Sequence, residues 1–206
     1  MLEPRTRTRL GGALALALAA GCGGARRAAH ADERPTEVLV EVLPRTARVS
    51  LDGVPLGAGS RAVPAPPEGE HVLSVAAEGY APSERPLQER DLAGVRVAAA
   101  LWPVGLDAAG ALDYDDAGGL ALVAAWLAER GDPHDAADYA ERAAALEPGL
   151  ALAHRARGDA LARLGDVGRA AEAWTEYLRL APRAPDARAV AQRLEAARER
   201  ARPEAR

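Results

Sequence analysis

Apolar and polar residues alternate along several short segments of residues 36–101. In the first segment Val38, Val40 and Val42 share one parity, so a strand presents all three on one face. Glycines and prolines separate the segments, and Asp52-Gly53 supplies a hairpin turn that requires positive φ angles. Short strands divided by such turns predict a small antiparallel β-sandwich over residues 36–101. The other inward positions are Ala47, Val49, Leu51, His71, Leu73, Val75, Ala77, Val95, Val97, Ala99 and Leu101.

After residue 117 the period becomes helical, and the sequence repeats itself with a constant offset. Gly131-Asp132 recurs as Gly165-Asp166, and Pro148 recurs as Pro182. A Gly-Asp step turns one helix into the next, and a proline stops the second helix. The fold class is therefore predicted to be α+β, with two helical repeats over residues 117–184 and a capping helix with a charged tail over 185–206. The predicted helices are 117–130, 133–146, 151–164, 167–180 and one that begins after Pro185-Asp186.

Residues 102–116 join the two halves and are rich in aspartate near their end. The run Asp113-Tyr114-Asp115-Asp116 invites comparison with a calcium-binding loop. In such a loop the twelfth position requires a carboxylate, and Ala124 stands there. This excludes a calcium loop. We expect a solvated acidic linker whose carboxylates favour the N-terminus of the following helix.

The first 21 residues have the composition of an export signal. A basic start is followed by an apolar run of eleven residues, Leu10–Ala20, and by the small residue Gly21. The run is too short to cross a bilayer, which needs about 20 apolar residues. Residues 22–35 mix glycine, proline and charge, which predicts a flexible tether.

Cys22 is the single cysteine of the chain, so it has no disulfide partner within the molecule. Residues 18–22 resemble the lipobox of bacterial lipoproteins, although Ala19 stands where that pattern has leucine. The resemblance implies that residues 1–21 are removed and that Cys22 carries a lipid anchor. Gly23, rather than aspartate, follows the cysteine, and this favours the outer membrane over the inner one. The alternative is an ordinary signal peptide that leaves an unpaired thiol.

The β region contains Pro67-Glu68-Gly69 and, further on, Gly79-Tyr80. With these residues it resembles the PEGA domain, an extracytoplasmic β-sandwich, and the resemblance covers about a third of the chain. Glu70 departs from the usual alanine. The resemblance implies structural roles, with glycines in turns and Tyr80 in packing, and no catalytic role.

The offset between the recurring positions is the length of a tetratricopeptide (TPR) repeat, which consists of two antiparallel helices. The second copy carries Gly158, Ala170 and Trp174 at family positions, whereas Ala140 of the first copy stands where an aromatic residue is common. Stacking usually needs three or more such units. We therefore expect the helices to be supported by the β domain, a partner or a second copy of the chain.

The TPR resemblance implies a peptide-binding groove lined by the first helix of each repeat. Arg155 and Arg163 are eight residues apart, which places them on one helical face, where they could clamp a peptide carboxylate. The alternative is an ordinary solvated face, because charged residues are common on any surface helix. The candidate groove residues are Ala121, Ala125, Glu129, Leu152, Arg155, Asp159 and Arg163.

Composition and motifs exclude several function classes. The net charge is −4 and no basic stripe is present, which argues against nucleic acid as a partner. No nucleophile elbow, phosphate-binding glycine loop or His/Cys cluster occurs, so neither an enzyme, a metal site nor a cofactor is predicted. His71 is isolated from other metal-ligand residues and is expected to be a half-buried strand histidine.

Three hypotheses for function follow. The first is a non-catalytic scaffold, anchored in the cell envelope, whose helices bind a protein or peptide partner. The second is an envelope or surface-layer assembly lipoprotein whose β domain binds cell-wall polysaccharide. The third is an accessory subunit that regulates an enzyme or a signalling complex.

Overall fold

The computed structural model describes residues 36–87, 96–106 and 111–201. A β-sheet region is followed by five helices, which confirms the predicted α+β class. The predicted signal peptide, Cys22, the tether and residues 202–206 lie outside the described residues. Among the described helices none is long and apolar enough to span a bilayer. The strands are β1 (Glu37–Leu43), β2 (Arg48–Leu51), β3 (Val54–Ala58), β4 (Arg61–Pro64), β5 (His71–Ala76), β6 (Ser83–Leu87) and β7 (Arg96–Ala100), and the helices are α1 (Ala117–Arg130), α2 (Pro133–Leu146), α3 (Ala151–Arg163), α4 (Val167–Leu180) and α5 (Ala187–Ala201).

The strands form two sheets, one in the order β4-β1-β7 and the other in the order β3-β2-β5-β6. Every neighbouring pair is antiparallel except β1 and β7, which run parallel with Val40 opposite Val97. The prediction of purely antiparallel pairing was wrong at this pair. Alternation indicates which face of a strand is buried, but it carries no information on the direction of the neighbouring strand.

Most of the alternating residues predicted to face inward are buried, whereas Leu51, Ala77 and Ala99 are half-buried and Val95 lies outside the described residues. Val38, Val40 and Val42 of β1 are each at most 3% exposed. Inward residues from both sheets belong to one hydrophobic cluster. The turn after β2 has Asp52 at φ 51° and Gly53 at φ 78°, the left-handed conformation that aspartate and glycine tolerate best.

The helices repeat with the predicted offset, since α2 and α4 start and end at equivalent positions of the two repeats. A glycine in the left-handed conformation ends the first helix of each pair, with φ 91° at Gly131 and 83° at Gly165. The next amide donates to the carbonyl five residues earlier, which is the hydrogen bond of a Schellman cap. These bonds join Asp132 to Leu127 (3.1 Å) and Asp166 to Leu161 (3.0 Å).

Trp174 packs directly on the backbone of α3 because residue 158 is glycine. A Cβ atom at Gly158 would lie 2.4 Å from Cδ1 of the Trp174 indole, far inside van der Waals contact. The equivalent positions of the first repeat are Ala124 and Ala140, both fully buried. The first helix pair therefore has a small residue on both sides of this contact, and the second has glycine against tryptophan.

Buried tyrosines connect the β region to α2. The hydroxyl of Tyr80 donates to Oδ2 of Asp135 at 2.7 Å, and that of Tyr139 donates to the carbonyl of Leu101 at 2.5 Å. The two rings lie parallel, with centroids 6.4 Å apart. At the edge of this contact Nε of Arg45 is 3.1 Å from a carboxylate oxygen of Asp138. The β region thus supports the helices through buried polar contacts.

The prediction of a solvated linker was wrong for the residues just before α1. Leu112 and Tyr114 are buried, and the guanidinium groups of Arg96 and Arg142 lie 5.3 and 4.5 Å from the centroid of the Tyr114 ring. Asp115 accepts hydrogen bonds from the same two arginines. Apolar and aromatic residues between the aspartates supply a local core, which a count of acidic residues does not reveal. The expected helix-capping role is confirmed for Asp116, which accepts from the amide of Gly118 at 3.0 Å.

Helix α5 covers the exposed side of α4. Val190, Leu194 and Ala197 of α5 form a hydrophobic cluster with Trp174 and Tyr177 of α4. All five side chains are at most 6% exposed. Helix α5 is therefore packed against the second helix pair through Val190, Leu194 and Ala197.

Candidate functional site

A small cleft lies between the first helices of the two pairs, α1 and α3. Its floor consists of alanine side chains and its rim of charged ones. Its volume of about 30 Å³ is enough for only one or two water molecules, so a larger ligand would rest on the surface around it. The lining residues are Ala125, Ala128, Glu129, Arg155, Ala156, Asp159 and Arg163.

Five of the seven predicted groove residues line this cleft: Ala125, Glu129, Arg155, Asp159 and Arg163. Ala121 was predicted wrongly, because it is fully buried. A methyl group at a helix–helix contact is too short to reach past its neighbours to the surface. Leu152 is half-buried and is not part of the lining.

Arg155 already has partners within the protein. Its Nε atom lies 3.0 Å from Oδ2 of Asp186 and 3.8 Å from Oδ2 of Asp159. Asp186 also accepts a hydrogen bond from the hydroxyl of Tyr177, and this bond, followed by the charge of Arg155, lowers the pKa of the Asp186 carboxyl. Arg155 therefore links α3 to the residue that precedes α5. The predicted carboxylate clamp would need both Arg155 and Arg163 to be unpaired, and Arg155 is not.

Asp159 is the centre of the same network. Its Oδ1 atom accepts from Nε1 of Trp174 at 3.0 Å and from Nη1 of Arg193 at 2.7 Å. Sequence analysis missed Arg193 as a partner of the groove. A signal was available, because Arg193 follows Asp159 by one full repeat and equivalent positions of stacked repeats lie next to each other.

Glu129 and Arg163 are the rim charges that face solvent. Both side chains are exposed, and neither forms a hydrogen bond or ion pair with another residue in the described part of the chain. Their opposite charges stand on α1 and α3 respectively, on either side of the alanine floor. A ligand that bridges the cleft would meet an acidic group on one side and a basic group on the other.

A second, larger cavity of about 340 Å³ lies where the β region meets the helices. Trp126 is half-buried in its wall, and the guanidinium group of Arg130 lies 4.3 Å from the centroid of that ring. Glu78 and Asp132 contribute exposed carboxylates. Sequence analysis missed this cavity, since its walls come from segments that are far apart in the chain. The remaining lining residues are Gly79, Tyr80, Pro103, Leu127 and Gly131.

His71 is a strand histidine, as predicted, but it is buried rather than half-buried, with 8% of its surface exposed. Its ring contacts Asp52 and the carbonyl of Pro67. His154 is also buried, and its Nε2 lies 2.8 Å from the carbonyl oxygen of Pro148. Over the described residues, no group of three or more His, Cys, Asp or Glu side chains is arranged to hold a metal ion.

No protein-family model matches the chain, and no curated protein is significantly similar to it. The resemblances to lipoproteins, PEGA domains and TPR repeats therefore depend on the residues and spacings given above.

Proposed function

We propose that this protein is a non-catalytic interaction scaffold of the bacterial cell envelope, anchored by a lipid at Cys22, which binds a protein or peptide partner on the α1–α3 face. The observation that carries the proposal is the cleft between α1 and α3, with its alanine floor and its solvent-facing Glu129 and Arg163. The anchor would hold the protein at a membrane, and we favour the outer membrane over the inner one.

The periodicity of the helices supports a TPR-like array in this proposal. Equivalent backbone hydrogen bonds recur one repeat apart, at Glu147 to Ala143 and again at Ala181 to Tyr177. Gly158 against Trp174 is the close helix contact that the TPR resemblance implies. In such an array the first helices line the concave side, which is where the cleft lies.

A PEGA-like sandwich is our proposal for the β region. Two sheets that share one hydrophobic cluster favour that architecture. The Pro67-Glu68-Gly69 stretch lies in the loop between β4 and β5, and Gly69 has φ 148°, a conformation that favours glycine. Buried Tyr80 has the packing role that the resemblance implies.

The course of β1 supports the role of the β region as a spacer. The strand starts at Glu37, just after the predicted tether, and ends at Leu43, whose carbonyl accepts from the amide of Leu101. Arg45, two residues further on, contacts α2. Seven strand residues span about 23 Å. In this proposal the β region would act as a spacer between the anchor and the helices.

Site-specific photo-crosslinking in living cells tests the binding face. A photoreactive amino acid at Glu129 or Arg163 should give a discrete adduct, and the same group at Glu172 should not, because Glu172 is exposed on α4 outside the cleft. Arg163→Glu should abolish the adduct formed from position 129. Arg155 is unsuitable for charge reversal, since its loss would also disturb α5. Equal adducts at all three positions, or none at 129 and 163, would contradict the proposal.

A second candidate function is binding of cell-wall polysaccharide at the larger cavity. The observation in its favour is a cavity of about 340 Å³ with an aromatic wall and exposed carboxylates, within the size range of small-ligand sites. The purified protein should then be retained on isolated cell wall. The double substitution Glu78→Gln with Asp132→Asn should reduce this retention at least tenfold, and Glu129→Gln should leave it unchanged.

An accessory subunit would use the α1–α3 face, so the identity of the crosslinked partner separates that role from a simple scaffold.

A further inference from the structure

The ring of His71 has a hydrogen-bond acceptor at each of its two nitrogen atoms. Nδ1 lies 2.6 Å from Oδ2 of Asp52, and Nε2 lies 2.9 Å from the carbonyl oxygen of Pro67. A neutral imidazole has one N–H donor and one lone pair, so it can satisfy only one of these contacts. The doubly protonated imidazolium donates to both. The geometry therefore requires the charged form of His71.

These two contacts join separate parts of the β region. Asp52 lies in the turn between β2 and β3, and its Oδ1 also accepts from the amide of Val72 at 2.8 Å. Pro67 lies in the loop of residues 65–70 between β4 and β5. The His71 ring therefore bridges this loop and the turn.

The charged groups around the ring favour its protonated form. Asp52 is the carboxylate in contact with it, while Glu68 and Glu70 are the acidic residues of the adjoining loop. On β6, the residue opposite His71 is the apolar Leu87, and Arg85 of that strand donates to the carbonyl of Ala98. The hydrogen bond to Asp52, followed by that to Pro67, raises the pKa of His71 above its ordinary value. The same contact with His71 lowers the pKa of Asp52.

We propose that protonated His71 is a latch that fastens the 65–70 loop to the β2–β3 turn, and that loss of its proton as the pH rises releases the loop. The latch is fully closed below the ordinary histidine pKa of about 6.5 and weakens as the pH passes through the raised pKa of the folded protein. Deprotonation of Nε2 turns its lone pair toward the carbonyl oxygen of Pro67, which converts an attraction into a repulsion. The ring then no longer holds the loop to the β2–β3 turn.

The protonation state can be read directly from long-range ¹H–¹⁵N spectra of the histidine rings in the full chain between pH 5 and pH 10. We expect both ring nitrogens of His71 to carry protons at pH 6.5 and to titrate at a higher pH. A single neutral tautomer of His71 at pH 6.5 would overturn the proposal. This measurement uses the wild-type protein, so it tests the proposal even if a substitution at His71 prevents folding.

Hydrogen exchange tests whether the loop follows the titration. After correction for the intrinsic effect of pH, the amides of residues 68–70 should exchange about tenfold faster once His71 is deprotonated. His71→Gln should show the faster exchange at every pH, and His134→Gln, at an exposed position on α2, should behave as the wild type. Loop exchange that is independent of the His71 titration would also overturn the proposal.

Discussion

The Tyr80 hydroxyl and the Asp135 carboxylate, 55 residues apart in the chain, form a hydrogen bond of 2.7 Å at the boundary between the β region and α2. Both side chains are at least nine-tenths buried. Burial raises the pKa of Asp135, and the bond from Tyr80 opposes that shift. The contact therefore joins the β region to α2 through a buried polar pair.

Replacing Tyr80 with phenylalanine should lower the free energy of unfolding by about 1–3 kcal/mol, because Asp135 then remains buried without its donor. Chemical denaturation measures this loss. Asp135→Asn is the matched control, since it retains an acceptor for the Tyr80 hydroxyl and should cost less. If the Tyr80→Phe protein were as stable as the wild type, the hydrogen bond would make no net contribution to the free energy of unfolding.

Gly158→Ala should destabilise the second helix pair by about 1–3 kcal/mol, because the new methyl group collides with the Trp174 indole. Gly168→Ala is the matched control on α4, as no atom lies within 4 Å of the place that its new methyl group would take. It should be neutral or stabilising by up to about 1 kcal/mol. Thermal unfolding compares the two.

The double variant Gly158→Ala with Trp174→Ala reproduces the pair Ala124 and Ala140 of the first repeat. Its loss of stability should be smaller than the sum of the single losses by at least about 1 kcal/mol, since alanine at 158 no longer collides with an indole. Strict additivity would show that the indole does not rest on residue 158.

Asp115→Asn should make the free energy of unfolding less dependent on pH in the acidic range. Hydrogen bonds from Arg96, and then from Arg142, lower the pKa of Asp115. A carboxyl group whose pKa is lowered by folding stabilises the folded state at pH values above its ordinary pKa, which is about 3.9 for aspartate. This stabilisation is lost as the pH falls through the pKa of the folded state. Because Asp115 is half exposed, screening limits the effect to about 1 kcal/mol at pH 7. Urea unfolding at pH 7 and pH 2.5 should show a smaller difference between wild type and variant at pH 2.5 than at pH 7.

Under the proposed lipid anchoring, Cys22→Ser should release the protein from membranes and abolish labelling by a fatty-acid probe, because acyl chains at Cys22 would supply the binding energy. Cell fractionation and mass spectrometry of the mature N-terminus measure both effects. Ala19→Leu restores the usual lipobox residue and should increase the fraction of processed protein. A Cys22→Ser protein that stays in the membrane fraction would rule out the lipid as its anchor.

Local periodicity explains which parts of the fold were predictable. Helix bounds, the Gly131 and Gly165 caps and the inward residues of β1 each follow from residues a few positions apart. The parallel pairing of β1 with β7 and the bond from Tyr80 to Asp135 join segments that are distant in the chain. Such contacts leave no period in the sequence, so they were not predicted.

The candidate site was predicted in part for the same reason. Helical spacing placed Arg155, Asp159 and Arg163 on one face, and they do line one cleft. Spacing along α3 alone could not show that Asp186, just before α5, and Arg193, on α5, pair with Arg155 and Asp159. The part of the face that remains open to a partner was visible only after the repeats were stacked.

The parallel alignment of β1 and β7 has a mechanical consequence. These are the first and last strands described in the β region, and both run toward the helices. A pull between an anchor before β1 and a partner held by the helices would draw one strand backward and the other forward along their common axis. The load is then shared by all the hydrogen bonds between the two strands instead of opening them one at a time. The β region would therefore resist stretching as a shear joint.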